Sequence, residues 1–169
     1  MMNIMVYEVK NSAASNAEEL FDEESLSFYW NDEKFTNLEI GDPVFVVDRP
    51  NGKVLYAKLD NKDIKANLDF ENDRTIVTDN SKRFTVEGAR EDFDNFVRLN
   101  VEEHVEPDEN WNWKILGNSE VTYLGGENLS SRKKTLENNL RRTDQLLQLF
   151  KEQSPASDVL ENARKEMRN

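Results

Sequence analysis

The stretch GDPVFVVDRPNGKVLYAKLD, residues 41–60, decides the fold expected for this chain. It contains an unbroken apolar run from Val44 to Val47, then Pro50-Asn51-Gly52, and then a second segment rich in apolar residues up to Leu59. An Asn-Gly pair between two strand-like segments is a strong local signal for a tight hairpin. The sequence therefore predicts a β-hairpin at this place.

Strand patterns on both sides of this hairpin extend the prediction. Segment 74–87 repeats the plan, with strands near 74–78 and 82–87 around the turn residues of 79–81. Near the N-terminus, residues 4–9 place Met5, Tyr7 and Val9 on one strand face and Ile4 and Val6 on the other. A strand that is apolar on both faces is expected to be buried in the sheet.

Less regular segments complete the predicted N-terminal domain. A short helix is predicted from Ala17, with Phe21 packing it down, and a second helix is predicted within 90–105, where Phe96 and Val97 share one helical face. Segment 111–124 is expected to give two strands about a turn at 117–118. The predicted fold class is α+β, a small curled antiparallel β-barrel with short flanking helices.

The C-terminal part has a different pattern. Its apolar residues follow the a and d spacing of a coiled-coil seam, which predicts one amphipathic connector helix. The sequence thus divides into a binding domain, 1–126, and a connector helix with a polar tail, 127–169. It leaves open whether this helix folds back or self-associates with another copy through 129–150. The seam positions are Leu129, Leu136, Leu140, Thr143, Leu147 and Phe150.

Composition excludes several classes of function. The chain has no cysteine, so disulfide frameworks, thiolate metal sites and cysteine nucleophiles are excluded. Its one histidine, His104, gives no basis for a catalytic triad or a two-histidine metal site, and no nucleotide-binding glycine loop is present. No apolar run approaches the roughly 20 residues that span a bilayer. We expect a cytoplasmic protein that is not an enzyme, has no cofactor or metal and does not bind a membrane.

The net negative charge argues against non-specific electrostatic binding of nucleic acid. The 22 basic and 34 acidic residues give a net charge of −12, and phosphate neutralisation is what drives such binding. The charge is unevenly distributed, however, because residues 130–153 contain six basic and three acidic side chains. The total charge therefore does not decide the partner.

Three short motifs resemble the PUA-like superfamily, especially its EVE and YTH branches. They are Val9-Lys10-Asn11-Ser12 at the end of the first strand, Trp30 before a loop, and LEIGDPVFVV at 38–47. The likeness covers roughly residues 3–125 and extends to the N-terminal specificity domain of McrB-type, modification-dependent restriction proteins. It implies a small β-barrel that accepts one flipped-out, modified base in an aromatic-walled pocket, with a motor or nuclease domain fused to it or associated with it.

Aromatic and amide side chains supply the candidates for such a pocket. Stacking on aromatic rings contributes about 1–3 kcal/mol per base, which offsets the few kcal/mol that flipping costs. If 111–113 is a strand, its two tryptophans share one face and form a slot with Trp30 opposite; the alternative for each aromatic is ordinary core packing. The pocket candidates are Phe28, Tyr29, Trp30, Trp111, Trp113, Asn11, Ser12 and Asn31.

Cations at strand ends and hairpin tips are the candidates for phosphate contacts, with isolated solvated side chains as the alternative. They are Lys10, Arg49, Lys53, Arg83 and Arg90. The expected function is recognition of a modified base, in DNA or alternatively RNA, as the specificity module of a bacterial defence protein. The competing hypotheses are a protein-interaction or oligomerisation adaptor and an acidic mimic of nucleic acid.

Overall fold

A computed structural model describes residues 3–9, 21–22, 27–31, 37–79, 82–89, 95–124 and 133–168. Nine β-strands precede two α-helices in this part of the chain, which makes the fold α+β. The strands are β1 Ile4–Val9, β2 Phe21–Asp22, β3 Ser27–Asn31, β4 Pro43–Asp48, β5 Lys53–Asp69, β6 Arg74–Asp79, β7 Lys82–Glu87, β8 Asn95–Val105 and β9 Val121–Leu124. The helices are α1 Lys133–Leu147 and α2 Pro155–Arg168.

Both predicted hairpins are confirmed. Strands β4 and β5 pair in antiparallel register up to Asp48 and Lys53, and the intervening turn places Gly52 at φ 66°, where glycine avoids the steric cost of a side chain. The Asn51 side-chain amide donates to the Asp48 carboxylate at 2.8 Å. Strands β6 and β7 pair up to Asp79 and Lys82.

The first strand is buried on both faces, as predicted. It lies between β4 and β9, and every residue of 4–9 is buried. Its pairing with β4 is parallel, which corrects the prediction of an entirely antiparallel sheet. A parallel pair needs a long crossover, and residues 10–42 provide one.

The described strands do not close into a barrel. Their order is β2-β3-β8-β5-β4-β1-β9, and the two end strands of this path, β2 and β9, do not pair with each other. Strands β6 and β7 extend from the second half of β5, beyond the register shifts between Leu59 and Ile64. The closed barrel of the prediction is therefore not found among the strands that the structure describes.

Two other predicted elements differ from the structure, and a third lies mostly outside its described part. Residues 95–105 form strand β8 and not a helix, because Val97, Leu99 and Val101 recur with the period of two that suits a sheet face. Phe21 lies in β2, while the helix predicted from Ala17 falls outside the described residues. Segment 111–116 is irregular, so β9 is the one strand found in 111–124.

The C-terminal segment folds back on the sheet. The seam leucines Leu136, Leu140 and Leu147 of α1 pack against a core of sheet and α2 residues, and the phenyl ring of Phe150 lies 5.8 Å from that of Phe45 in an edge contact. The predicted polar tail contains a second helix, α2, which buries Leu160 and Met167 in the same place. Leu129 lies outside the described residues. The domain boundary at 126 and self-association through 129–150 stay predictions.

Two hydrophobic clusters occupy the two faces of the sheet. The helix-side cluster lies under α1 and α2, and its buried members are Ile4, Val6, Phe45, Val47, Val54, Tyr56, Ile115, Leu116, Leu124, Leu146, Phe150, Ala156, Leu160, Ala163 and Met167. The opposite cluster consists of Met5, Tyr7, Val9, Leu38, Val44, Val46, Leu55, Ala57, Leu59, Val97, Leu99 and Val101. Neither helix, within the residues described, is long and apolar enough to cross a membrane.

Candidate aromatic and basic surface

Two of the predicted pocket residues, Trp111 and Trp113, lie side by side. Their rings are 5.0 Å apart between centroids and nearly perpendicular, at 85°. Both indoles are half-buried and pack against the helix-side cluster. The prediction that they share a strand face is wrong, because their segment has no strand, yet the edge-to-face contact keeps them together.

The segment that carries these tryptophans is fixed at several points. The Trp111 indole Nε1–H donates to the Gln145 carbonyl of α1 at 3.2 Å, and its backbone N–H donates to the Asp108 carbonyl at 3.0 Å. A little further on, the Leu116 N–H donates to the buried Glu8 carboxylate at 3.3 Å. Trp113 therefore lies between two anchored positions and needs little ordering when it contacts a ligand.

A half-buried arginine stands next to this segment. The Arg142 guanidinium donates from Nε to the Ile115 carbonyl at 3.1 Å and from Nη1 to the Asn139 side-chain oxygen at 2.9 Å. Burial, followed by the positive charge of Arg141, holds the pKa of Arg142 below its ordinary value. Lys114, between Trp113 and Ile115, is exposed, as is Arg141. We call Trp111, Trp113, Lys114, Arg141 and Arg142 the aromatic-basic surface.

Among the other arginines of the described structure, Arg74, Arg98 and Arg164 have carboxylate partners, whereas Arg49, Arg83 and Arg168 have none within the residues described. Arg74 pairs with Asp69 at 2.9 Å, and Arg164 pairs with Asp144 and Glu161 at 3.2 and 2.6 Å. Within the residues described, Arg141 and Arg142 form no such ion pair. Arg141 and Arg142 are therefore two adjacent positive charges without an ion-pair partner in the described structure, and Arg142 contacts the segment that carries the tryptophans.

The remaining pocket candidates are less defined. Phe28, Tyr29, Trp30 and Asn31 lie on β3, and the structure describes the backbone there but not the side chains. Asn11 and Ser12 lie outside the described residues. The register pairs position 30 with Val97 of the opposite cluster, whereas Trp111 and Trp113 pack on the helix-side cluster. A slot between Trp30 and the other two indoles stays a prediction.

The three predicted phosphate contacts that the structure describes fall in two places. Arg49 lies in the turn between β4 and β5, and Lys53 is the first residue of β5. Exposed Arg83 of β7 lies opposite Thr78 of β6, which in turn lies opposite Lys65 of β5. Twelve residues of β5 separate positions 53 and 65, which corresponds to roughly 40 Å along the strand. Lys10 and Arg90 lie outside the described residues.

Sequence reasoning missed the cations that adjoin the tryptophans. The sequence pattern places Arg141 and Arg142 only within the basic segment 130–153 of the predicted connector helix. No local signal connects them with the tryptophan segment, because the hydrogen bond from Arg142 to the Ile115 carbonyl depends on how α1 packs on the segment before β9.

The described residues also include no metal-binding group, that is, no three His, Asp or Glu side chains arranged to hold an ion. His104 is exposed on β8, as expected for a lone histidine in an acidic segment. Comparisons with protein-family models, with curated proteins and with solved structures give no match to this chain. Its function must therefore be inferred from its own residues.

Proposed function

We propose that this chain is a non-enzymatic binding module that recognises a modified nucleobase, flipped into an aromatic pocket, in DNA. The observation that carries the proposal is the half-buried, perpendicular pair of Trp111 and Trp113, with Trp111 hydrogen-bonded to α1 and Arg142 hydrogen-bonded to the same segment at Ile115. An anchored aromatic pair next to positive charge is the combination that holds an unstacked base and its phosphate.

The free energies are compatible with this role. Extruding a base costs a few kcal/mol, and each stacked base returns about 1–3 kcal/mol. Because Trp111 is already fixed by its hydrogen bond to Gln145, less side-chain entropy is lost on binding. The β3 residues around Trp30, together with Asn11 and Ser12, complete the proposed pocket.

The wider setting is part of the same proposal. The PUA-like resemblance, supported so far by its sequence motifs, suggests the specificity module of a bacterial defence protein. Such a module acts in the cytoplasm and works with a fused or associated motor or nuclease domain. Lys10, Arg49, Lys53, Arg83 and Arg90 remain its proposed outer phosphate contacts, with RNA as the alternative ligand.

Fluorescence polarisation with methylated and unmodified oligonucleotides of one sequence tests the proposal. We expect tighter binding of a methylated probe, loss of this discrimination in Trp30→Ala, and weaker binding in Trp113→Ala by about 1–3 kcal/mol, the usual value of one stacked base. Phe70→Ala is the matched control, because Phe70 is an aromatic exposed at 64% in the turn after β5. Equal or absent binding of both probes at low salt would refute base recognition.

The adaptor is the competing function. Ile40 and Phe70 are large, exposed apolar side chains that offer protein contacts. The seam of α1, in contrast, is engaged within the chain, so a dimer through 129–150 has to displace that packing. A mass that rises with concentration in sedimentation, with no affinity for any oligonucleotide, favours the adaptor.

A further inference from the structure

Arg142 is the starting point, because it is a half-buried charge that lacks an acidic partner in the described structure. Taking a guanidinium out of water is costly unless an opposite charge compensates it. Its Nε and Nη1 donors are engaged by neutral oxygens of Ile115 and Asn139. Its Nη2 donors have no acceptor among the described atoms, and Arg141 beside it adds a second positive charge.

The distribution of charge singles out this part of the molecule. Helix α1 contains four basic and two acidic residues, a net charge of +2, so the rest of the −12 chain carries −14. One of the two acids, Asp144, is paired with Arg164. The other, Glu137, is exposed one turn before Arg141 and offsets part of the positive potential.

We propose that Arg142, Arg141 and Lys114 bind the phosphodiester backbone of single-stranded nucleic acid, with one base of that strand stacked on Trp113. The site rests on the proposed function and supplies the backbone contacts that base recognition needs. A planar guanidinium with free donors suits a phosphate, and an indole next to cations suits an unpaired strand.

Nearby acidic side chains limit the geometry of the bound strand. Asp108 and Glu109 are exposed in the segment before Trp111. Their negative charges repel phosphates, so we expect the bound strand to avoid the residues that precede Trp111.

Binding of the full chain to a twelve-residue oligo-dT and to inorganic tripolyphosphate tests the site. The test variant is Lys114→Gln/Arg141→Gln, since both side chains are exposed and their loss spares the fold. The matched control is Lys165→Gln/Arg168→Gln, which removes the same charge from exposed positions of α2. For single strands, each phosphate contact contributes about 0.7 to the magnitude of the slope of log K against log salt concentration. Since the test variant loses two cations, we expect this magnitude to fall by about 1.4 in the test variant only.

Each outcome supports or overturns the site. Loss of oligo-dT and tripolyphosphate binding in the test variant, but not in the control, supports it even if methylated and unmodified probes bind alike. The proposal of base recognition would then fail alone. If the test and control variants lose binding equally, the effect is one of total charge and the site is overturned. The site is also overturned if the unaltered chain binds neither oligo-dT nor tripolyphosphate. A quench of tryptophan fluorescence by oligo-dT that Trp113→Phe does not change would overturn the stacking.

Discussion

At the scale of single residues, half-buried Arg98 shows how a charge removed from water is compensated in this chain. Its guanidinium contacts Asp60 of β5 at 2.7 Å and, through Nη1, Asp79 at the end of β6. Burial opposes its charge, but hydrogen bonds to the two carboxylates outweigh burial and hold the pKa of Arg98 above its ordinary value. Asn61 also donates to Asp79, at 3.2 Å. The network ties the β6–β7 extension to β5 and β8.

Replacing Arg98 tests the strength of this network. Arg98→Met leaves the Asp79 carboxylate, whose side chain is 1% exposed, without its guanidinium, so we expect a loss of about 3–5 kcal/mol in the free energy of unfolding. Arg74→Met, which removes the more exposed pair with Asp69, is expected to cost at most about 1 kcal/mol. Urea denaturation of the two variants gives both values. Similar losses in the two would show that burial of Asp79 does not decide the cost.

At the scale of elements, the start of α2 shows why one sequence signal has two readings. Ser-Pro is typical of the end of a helix, but Ser154 caps the helix that follows, with its hydroxyl accepting from the Ser157 N–H at 3.2 Å. Proline at the first helical position is favourable there. The Ala156 N–H donates to Glu103 of β8 at 2.7 Å, so a strand also caps this helix.

Ser154→Ala removes the local cap of α2. The Ser157 N–H then loses its acceptor, and we expect the free energy of unfolding to fall by about 1 kcal/mol. Glu152→Ala, at an exposed position two residues earlier, serves as the control and is expected to stay within about 0.5 kcal/mol. Thermal unfolding measures both variants. An equal shift of the midpoint in the two would argue against a capping role for Ser154.

At the scale of the whole molecule, the helices form part of the core. Leu146, Phe150 and Leu160 are buried with Phe45 and Tyr56 of the sheet in the helix-side cluster. Removing α1 and α2 exposes this apolar face to water, at about 25 cal/mol for each Å² uncovered. The predicted division at residue 126 is thus a testable statement about folding.

A chain that ends at residue 126 is expected to lose its cooperative unfolding transition and to bind a hydrophobic dye. Circular dichroism and dye fluorescence, compared with the full chain, give the measurement. The full chain with Leu140→Ala, a change at a half-buried position of α1, controls for general weakening of the helix. A fragment 1–126 that unfolds cooperatively with native-like spectra would establish an independent domain and contradict this expectation.

Local chemistry by itself determined the two hairpins and the burial of β1. These features depend on turn residues such as Asn51-Gly52 and on period-two apolar patterns, which act within a few residues of the chain. The same reasoning failed for β8, because a few apolar residues there fit both a helix face and a strand face, and pairing with β5 decides between them.

Only the tertiary structure decided the parallel pairing of β1 with β4, the return of α1 and α2 to the sheet, and the meeting of Arg142 with the tryptophan segment. Each depends on contacts between residues far apart in sequence, such as Glu8 and Leu116, which are 108 positions apart. Closing such long loops carries an entropic cost that is offset only by the complete packed core. A sequence pattern within one strand or helix does not show whether core packing offsets the entropic cost of closing these loops.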